Sequence, residues 1–117
     1  MWPKTDVLTT RIYELLYALG IRAELGGFFY TAYAVRLAVE QPHRLLLMER
    51  WVYPEIARRY HASPQRVERD IHMVIHTVWK EHPRLLITLA GHPIQARPTV
   101  AAFLFALGAC LSEDFAA

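Results

Sequence analysis

The sequence contains a single cysteine, Cys110, among 117 residues. An internal disulfide is therefore excluded, and because Cys110 stands in an apolar run, we expect a core thiol in a reduced, intracellular setting. No run approaches the ~18 apolar residues that a membrane span needs, and the N-terminus lacks the basic and apolar blocks of a signal peptide. These absences predict a soluble, cytoplasmic protein.

The sequence also lacks a large excess of either positive or negative charge, and it lacks catalytic motifs. Thirteen Lys and Arg stand against eleven Asp and Glu, so the net charge of +2 does not by itself indicate a nucleic-acid partner. There is no Gly-rich phosphate loop, nucleophile elbow or pair of catalytic carboxylates, so we predict no enzyme, no catalytic residue and no cofactor. A hydrophobic fraction of 54% with 21% charged residues predicts one packed domain over residues 1–117.

Apolar residues recur with helical spacing along most of the chain, and no strand-like alternation of useful length appears. A first helix is predicted over residues 5–19, with Thr5 or Asp6 as its cap and Gly20 at its end. A second follows Gly26-Gly27 and stops near residue 40, before Pro42. Further helices are predicted over residues 45–51, 84–90 and 99–111. With the two helices described next, this pattern predicts an all-α domain of about six helices.

Residues 52–79 have the connectivity of a helix-turn-helix, with a short helix, a tight turn and a longer helix. Ser63-Pro64 predicts the start of the longer helix, since a Ser hydroxyl can cap it and proline suits its first position. Five apolar side chains then follow at i, i+4, i+7, i+8 and i+11 and predict one buried face. They are Val67, Ile71, Val74, Ile75 and Val78.

The opposite face of that helix begins with polar side chains suited to base edges in a major groove. Arg can contact guanine through O6 and N7, Glu can accept from cytosine N4, and Gln suits adenine. In the preceding helix, Arg58 and Arg59 stand where they could meet phosphates, while Ile56, Ala57 and Tyr60 point inward. The candidate DNA-contacting residues are Arg58, Arg59, Ser63, Gln65, Arg66, Glu68, Arg69 and His72.

Each of these patterns has an alternative interpretation. The charged face could be an ordinary solvated surface on which Glu68 pairs with Arg58, Arg59 or Arg69. His72 and His76 are spaced as two zinc ligands would be, but no third ligand has a compelling spacing, so we predict no metal site. The aromatic segment 28–33 is interpreted as core rather than a cofactor pocket. The apolar final helix is either buried or a dimer surface.

The run Tyr53-Pro54-Glu55-Ile56-Ala57, followed by Arg66-Val67-Glu68-Arg69 and by Trp79, resembles the C-terminal DNA-binding effector domain of the stage-zero sporulation response regulators. The similarity extends nearly end to end, from Leu19-Gly20-Ile21 to Arg97-Pro98-Thr99. The resemblance implies six helices, binding to a short G·C-containing promoter box, and head-to-tail assembly on tandem boxes. It also implies that Arg66, Glu68 and Arg69 read the bases, and we call these three residues the reading set.

The chain departs from that family at three points. His72 stands where the family usually has Arg, and Val100 and Ala101 replace polar residues of the last helix. We also expect no receiver domain, because residues 1–117 leave no room for one. We therefore predict a stand-alone, nucleoid-associated transcription regulator that binds double-stranded DNA, as a homodimer or paired with a related regulator. The alternative is a protein-interaction module that pairs with and modulates a full-length regulator through the apolar last helix.

Overall fold

Six α-helices account for most of the chain in the computed structural model, which describes residues 6–116 and the side chains of residues 6–112. No strand occurs between residues 6 and 116, so the all-α prediction is confirmed. None of the described helices is both long and apolar enough to cross a membrane. The helices are α1 (Val7–Ala18), α2 (Phe28–Glu40), α3 (Tyr53–Tyr60), α4 (Pro64–Glu81), α5 (Pro83–Ala90) and α6 (Val100–Ala116).

Helix α1 begins and ends at the residues that the sequence indicated. The Asp6 carboxylate accepts a hydrogen bond from the Thr9 amide at 3.1 Å, which satisfies one of the free amides of the first turn. Gly20 follows the helix with a φ of +84°, a left-handed conformation that glycine adopts without steric cost. Thr5, the other candidate cap, lies outside the described residues.

Helix α2 lies at the centre of the domain and contacts α1, α3, α4 and α6. Phe28 is buried at its start, as predicted for the aromatic segment, and small alanines further along allow neighbouring helices to approach. Phe29 does not fit the prediction, because it is 41% exposed rather than buried. Its ring instead meets those of Tyr13 and Phe28 edge-on at the surface.

The predicted short helix over residues 45–51 is wrong in type, because the connection from α2 to α3 contains no α-helical turn. Pro42–Leu47 forms a 3₁₀ helix and Met48–Val52 a π-helical turn. Leu45, Met48 and Val52 are buried from this segment, whose 3₁₀ part packs against α2 and α6 and whose π part packs against α3. The irregular backbone follows from that tertiary packing, which places three apolar side chains in the core.

Helix α6 is longer than the predicted span of 99–111. The Thr99 hydroxyl caps it by accepting from the Ala102 amide at 3.1 Å. Its apolar stripe, with Phe103, Leu104 and Leu107 fully buried, lies mainly against α2, so most of this apolar surface is covered within the chain. Phe105 remains 43% exposed, and Cys110 is half-buried rather than enclosed in the core.

Candidate nucleic-acid interface

Three residues connect α3 to α4 in a tight turn. His61 adopts a left-handed conformation, with φ 54° and ψ 46°, which ends α3 and reverses the chain. Ser63 then caps α4 by accepting the Arg66 amide proton at 3.1 Å, and Pro64 occupies the first helical position. The predicted start of α4, the second helix of the helix-turn-helix, is therefore confirmed.

The buried face of α4 fixes the direction in which its other face points. All five side chains of the predicted stripe, from Val67 to Val78, are buried in the core. From α3, Ile56 and Ala57 are buried, and Tyr60 packs against the core at its edge. Because helix α4 is held along one complete side, its opposite side is presented to solvent without freedom to rotate.

The polar side chains predicted for the opposite face are accessible to a partner. Arg66 and Arg69 are 61% and 69% exposed, and Gln65 and His72 are also exposed. Glu68 is partly exposed on the same turns. The structure therefore brings the reading set together on the first two turns of α4, the part of a recognition helix that enters a major groove.

Ion pairs on this surface differ from those that the sequence suggested. Glu68 lies 3.7 Å from His72, measured from Oε2 to Nε2, whereas Arg58 pairs with Glu55 and Arg69 with Asp70. Both arginines of the reading set pair instead with Asp70. Arg69 Nε donates to Asp70 Oδ1 at 3.4 Å, and Arg66 Nε lies 3.7 Å from Asp70 Oδ2.

Sequence reasoning missed Asp70, which is only 17% exposed between the two arginines. A signal was present, because an Arg and an Asp four residues apart on a helix are neighbours on its surface. The backbone of the Gly26-Gly27 loop supports Asp70 from the other side. A Cβ atom on Gly26 would come within 3.2 Å of Asp70 Oδ2, so the loop leaves the carboxylate little room.

The two arginines of α3 are exposed, but their positions are set by neighbouring side chains. Arg58 pairs with Glu55, one helical turn earlier. The Arg59 guanidinium lies 5.3 Å from the centre of the Tyr33 ring, a cation–π distance. Both cations therefore stand beside the turn that leads into α4.

Tyr33 and Glu55, which contact Arg59 and Arg58, are also joined to each other. The Tyr33 hydroxyl donates to the Glu55 carboxylate at 3.0 Å. Burial raises the pKa of Tyr33, and the hydrogen bond to Glu55 raises it further, so the phenol stays protonated and able to donate. Burial likewise raises the pKa of Tyr60, whose ring meets that of Tyr33 edge-on. The rings beside the Arg59 guanidinium are therefore uncharged.

The two histidines spaced as zinc ligands have other neighbours. His72 faces Glu68, whereas the Nδ1 atom of His76 lies 3.2 Å from an Arg97 guanidinium nitrogen. Among the residues with described side chains, no three His, Cys, Asp or Glu form a group that could hold a metal ion. The arrangement of charged side chains around α3 and α4 fits an anionic polymer better than a bound cation.

Comparison with known protein families gives a match over most of the chain. A family model described as "Sporulation initiation factor Spo0A C terminal" matches residues 12–110. The matched region begins within α1 and ends within α6, so it contains the whole of α3, the turn and α4.

Proposed function

The chain belongs to the family of Spo0A C-terminal domains, and on this premise we propose that it is a sequence-specific DNA-binding regulator of transcription. Membership implies a DNA-binding effector domain of a sporulation regulator, and the family is one of regulatory domains rather than of enzymes. The proposal adds that α4 enters the major groove and distinguishes one DNA sequence from another.

The observation that carries the proposal is the placement of Arg66 and Arg69 on a helix whose other side is locked in the core. Residues three apart on a helix lie on one face, roughly 5–6 Å apart at Cβ. Each guanidinium can therefore meet a guanine through O6 and N7, and Glu68 can accept from the N4 amino group of a cytosine beside them. Such contacts favour a G·C-containing site.

Contacts to phosphates supply the remaining affinity in this proposal. Arg58 and Arg59 are cations beside the turn, where the first helix of a helix-turn-helix crosses the DNA backbone. Gln65 and His72 border the reading set, and Ser63 stands at the start of α4, where the helix dipole favours a phosphate. These contacts position the helix without carrying sequence information.

The partner in this proposal is double-stranded DNA, with two copies of the domain bound head to tail on tandem sites in the nucleoid. The family match favours DNA binding over the interaction module that was the alternative. Burial of most of the α6 apolar stripe also leaves that helix less surface for a separate partner.

Selection of bound duplexes from a random DNA pool tests the proposal, because it measures binding and yields the preferred sequence together. We expect a short G·C-containing motif and gel-shift binding that weakens steeply as salt is raised. The matched control is the double variant Arg66→Ala, Arg69→Ala, which should retain the fold but select no motif. Failure of the wild-type protein to shift any duplex at low salt would refute the proposed function.

A further inference from the structure

We propose that Asp70 determines how specifically this domain reads DNA, by holding Arg66 and Arg69 towards the bases and away from the phosphates. The inference rests on the proposed function, since it concerns how the reading set discriminates. A carboxylate would normally oppose the binding of a polyanion such as DNA, because the two repel each other. The inference nevertheless gives the Asp70 carboxylate a role in that binding.

The two carboxylate oxygens of Asp70 lie beside different arginines. Oδ1 accepts from Arg69 Nε at 3.4 Å, and Oδ2 lies 3.7 Å from Arg66 Nε. Both pairs are formed through the Nε atom of the guanidinium, so the terminal nitrogens of each arginine are left to donate to another group. Those terminal nitrogens are the pair of donors that can contact guanine O6 and N7 together.

The position of Asp70 is itself constrained, so it can act as a fixed acceptor. Its side chain is 17% exposed, against 61% for Arg66, and lies in the narrow space between α4 and the Gly26-Gly27 loop. A Cβ atom added to Gly26 would be only 3.2 Å from Asp70 Oδ2, so the loop limits the space on that side of the carboxylate. An arginine that pairs with such an anchored group loses less rotamer freedom when it binds a base, which is preorganisation.

Electrostatics give Asp70 a second effect on specificity. A negative charge between the two arginines repels phosphates and partly neutralises the cations, so it weakens binding to every duplex. Non-specific binding depends on phosphate contacts alone, whereas the preferred site also offers bases to the arginines, so the repulsion of phosphates costs more on other duplexes. The ratio of specific to non-specific affinity therefore rises.

Removal of the Asp70 carboxylate should therefore change the affinity for the preferred site and the affinity for other duplexes differently. In Asp70→Asn and Asp70→Ala, we expect non-specific binding to strengthen by several-fold and the salt slope to steepen by ~1, since one more phosphate can be neutralised. Because the arginines are no longer held towards the bases, the specific-to-non-specific affinity ratio should fall by about tenfold. A purely structural role would lower both affinities together.

The experiment measures dissociation constants for the selected duplex and a scrambled duplex of equal composition, at two salt concentrations. The matched control is Glu81→Gln, which removes the same charge from the exposed far end of α4. Thermal melting of each variant checks the fold, and the nearly isosteric Asp70→Asn carries the test if Asp70→Ala does not fold.

A fall in the affinity ratio in the Asp70 variants, but not in Glu81→Gln, supports the inference. If the wild type discriminates between duplexes and Asp70→Asn discriminates equally well, the role of Asp70 is refuted while the proposed function stands. If Glu81→Gln loses as much discrimination as Asp70→Asn, net charge explains the effect and the inference also fails. If the wild type binds no duplex, the proposed function and the inference fail together.

Discussion

Gly27, which precedes α2, lies against the main chain of Asp70 in α4. A Cβ atom added to Gly27 would be 2.4 Å from the Asp70 carbonyl oxygen and 2.7 Å from Val74 Cγ2. These distances are too short for any side chain, so only glycine allows the two segments to approach so closely. The depth at which α4 sits in the domain is therefore set partly by this contact.

We expect Gly27→Ala to lower the free energy of unfolding by ~1–3 kcal/mol, the usual cost of forcing an extra methyl group into a packed site. Urea denaturation of the folded domain measures the change. Gly26→Ala is the matched control, since its Cβ would meet only the end of the Asp70 side chain, at 3.2 Å, and should cost less. Equal stabilities for Gly27→Ala and the wild type would contradict the contact.

Arg66→Ala should cost ~1–3 kcal/mol of binding free energy on the selected duplex and abolish the preference at a single base pair. The reason is the loss of two hydrogen bonds to one guanine. Titration of a panel of duplexes that each carry one base-pair change identifies the position. If the variant lost the same affinity on every member of the panel, Arg66 would be a phosphate contact instead.

Arg59→Ala should weaken binding about equally on all duplexes, because a phosphate contact carries no sequence information. The slope of log affinity against log salt should become shallower by ~1, the value expected for one lost phosphate contact. Arg11→Ala serves as the control, since it removes an exposed cation from α1 rather than from the helix-turn-helix. A sequence-dependent loss in Arg59→Ala would show that Arg59 contacts a base.

Asp6 should make the stability of the domain sensitive to acid. Its carboxylate lies 2.6 Å from the Arg36 guanidinium, and this hydrogen bond, with that from the Thr9 amide, holds the pKa of Asp6 below its ordinary value of 3.8. A carboxyl group whose pKa is lower in the folded state stabilises the fold above its unfolded pKa. That contribution is lost as pH falls through the folded pKa.

Chemical denaturation between pH 6 and pH 2.5 tests this expectation. The wild type should lose stability below about pH 4, where the unfolded carboxyl group begins to take up its proton. Asp6→Asn should be less stable than the wild type at pH 6 and should lose less as the pH falls. Parallel pH curves for the two proteins would mean that the pair with Arg36 contributes nothing to stability.

The sequence predicted those parts of the fold that depend on local rules. The Ser63-Pro64 start of α4 follows from capping chemistry, and the buried stripe from Val67 to Val78 follows from helical periodicity. Segment 42–52 was predicted less well, because its 3₁₀ part, which contains Leu45, packs against α6, a helix that begins more than fifty residues later. Periodicity along the chain carries no information on that packing.

In the candidate site, too, some features follow from local rules of sequence and others depend on tertiary packing. Exposure of Arg66 and Arg69 could be predicted, since both lie opposite the apolar stripe. Pairing of Arg66 with Asp70 follows from their spacing of four residues, but pairing of the adjacent Arg69 with the same carboxylate could not be predicted, because neighbouring residues on a helix do not normally face each other. The Gly26-Gly27 loop narrows the space around Asp70, and that loop is more than forty residues away in the chain.

Helix α4 has 18 residues and is therefore ~27 Å long at 1.5 Å per residue. Its first turns carry the reading set, and its later turns place Val74 and Val78 in the core, so one rigid element would serve both the proposed DNA recognition and folding. Cells degrade or triage a protein in proportion to its unfolded fraction. If the proposed function holds, inherited changes deep in this core, far from any base, should therefore lower the amount of folded regulator and alter gene regulation in the living cell.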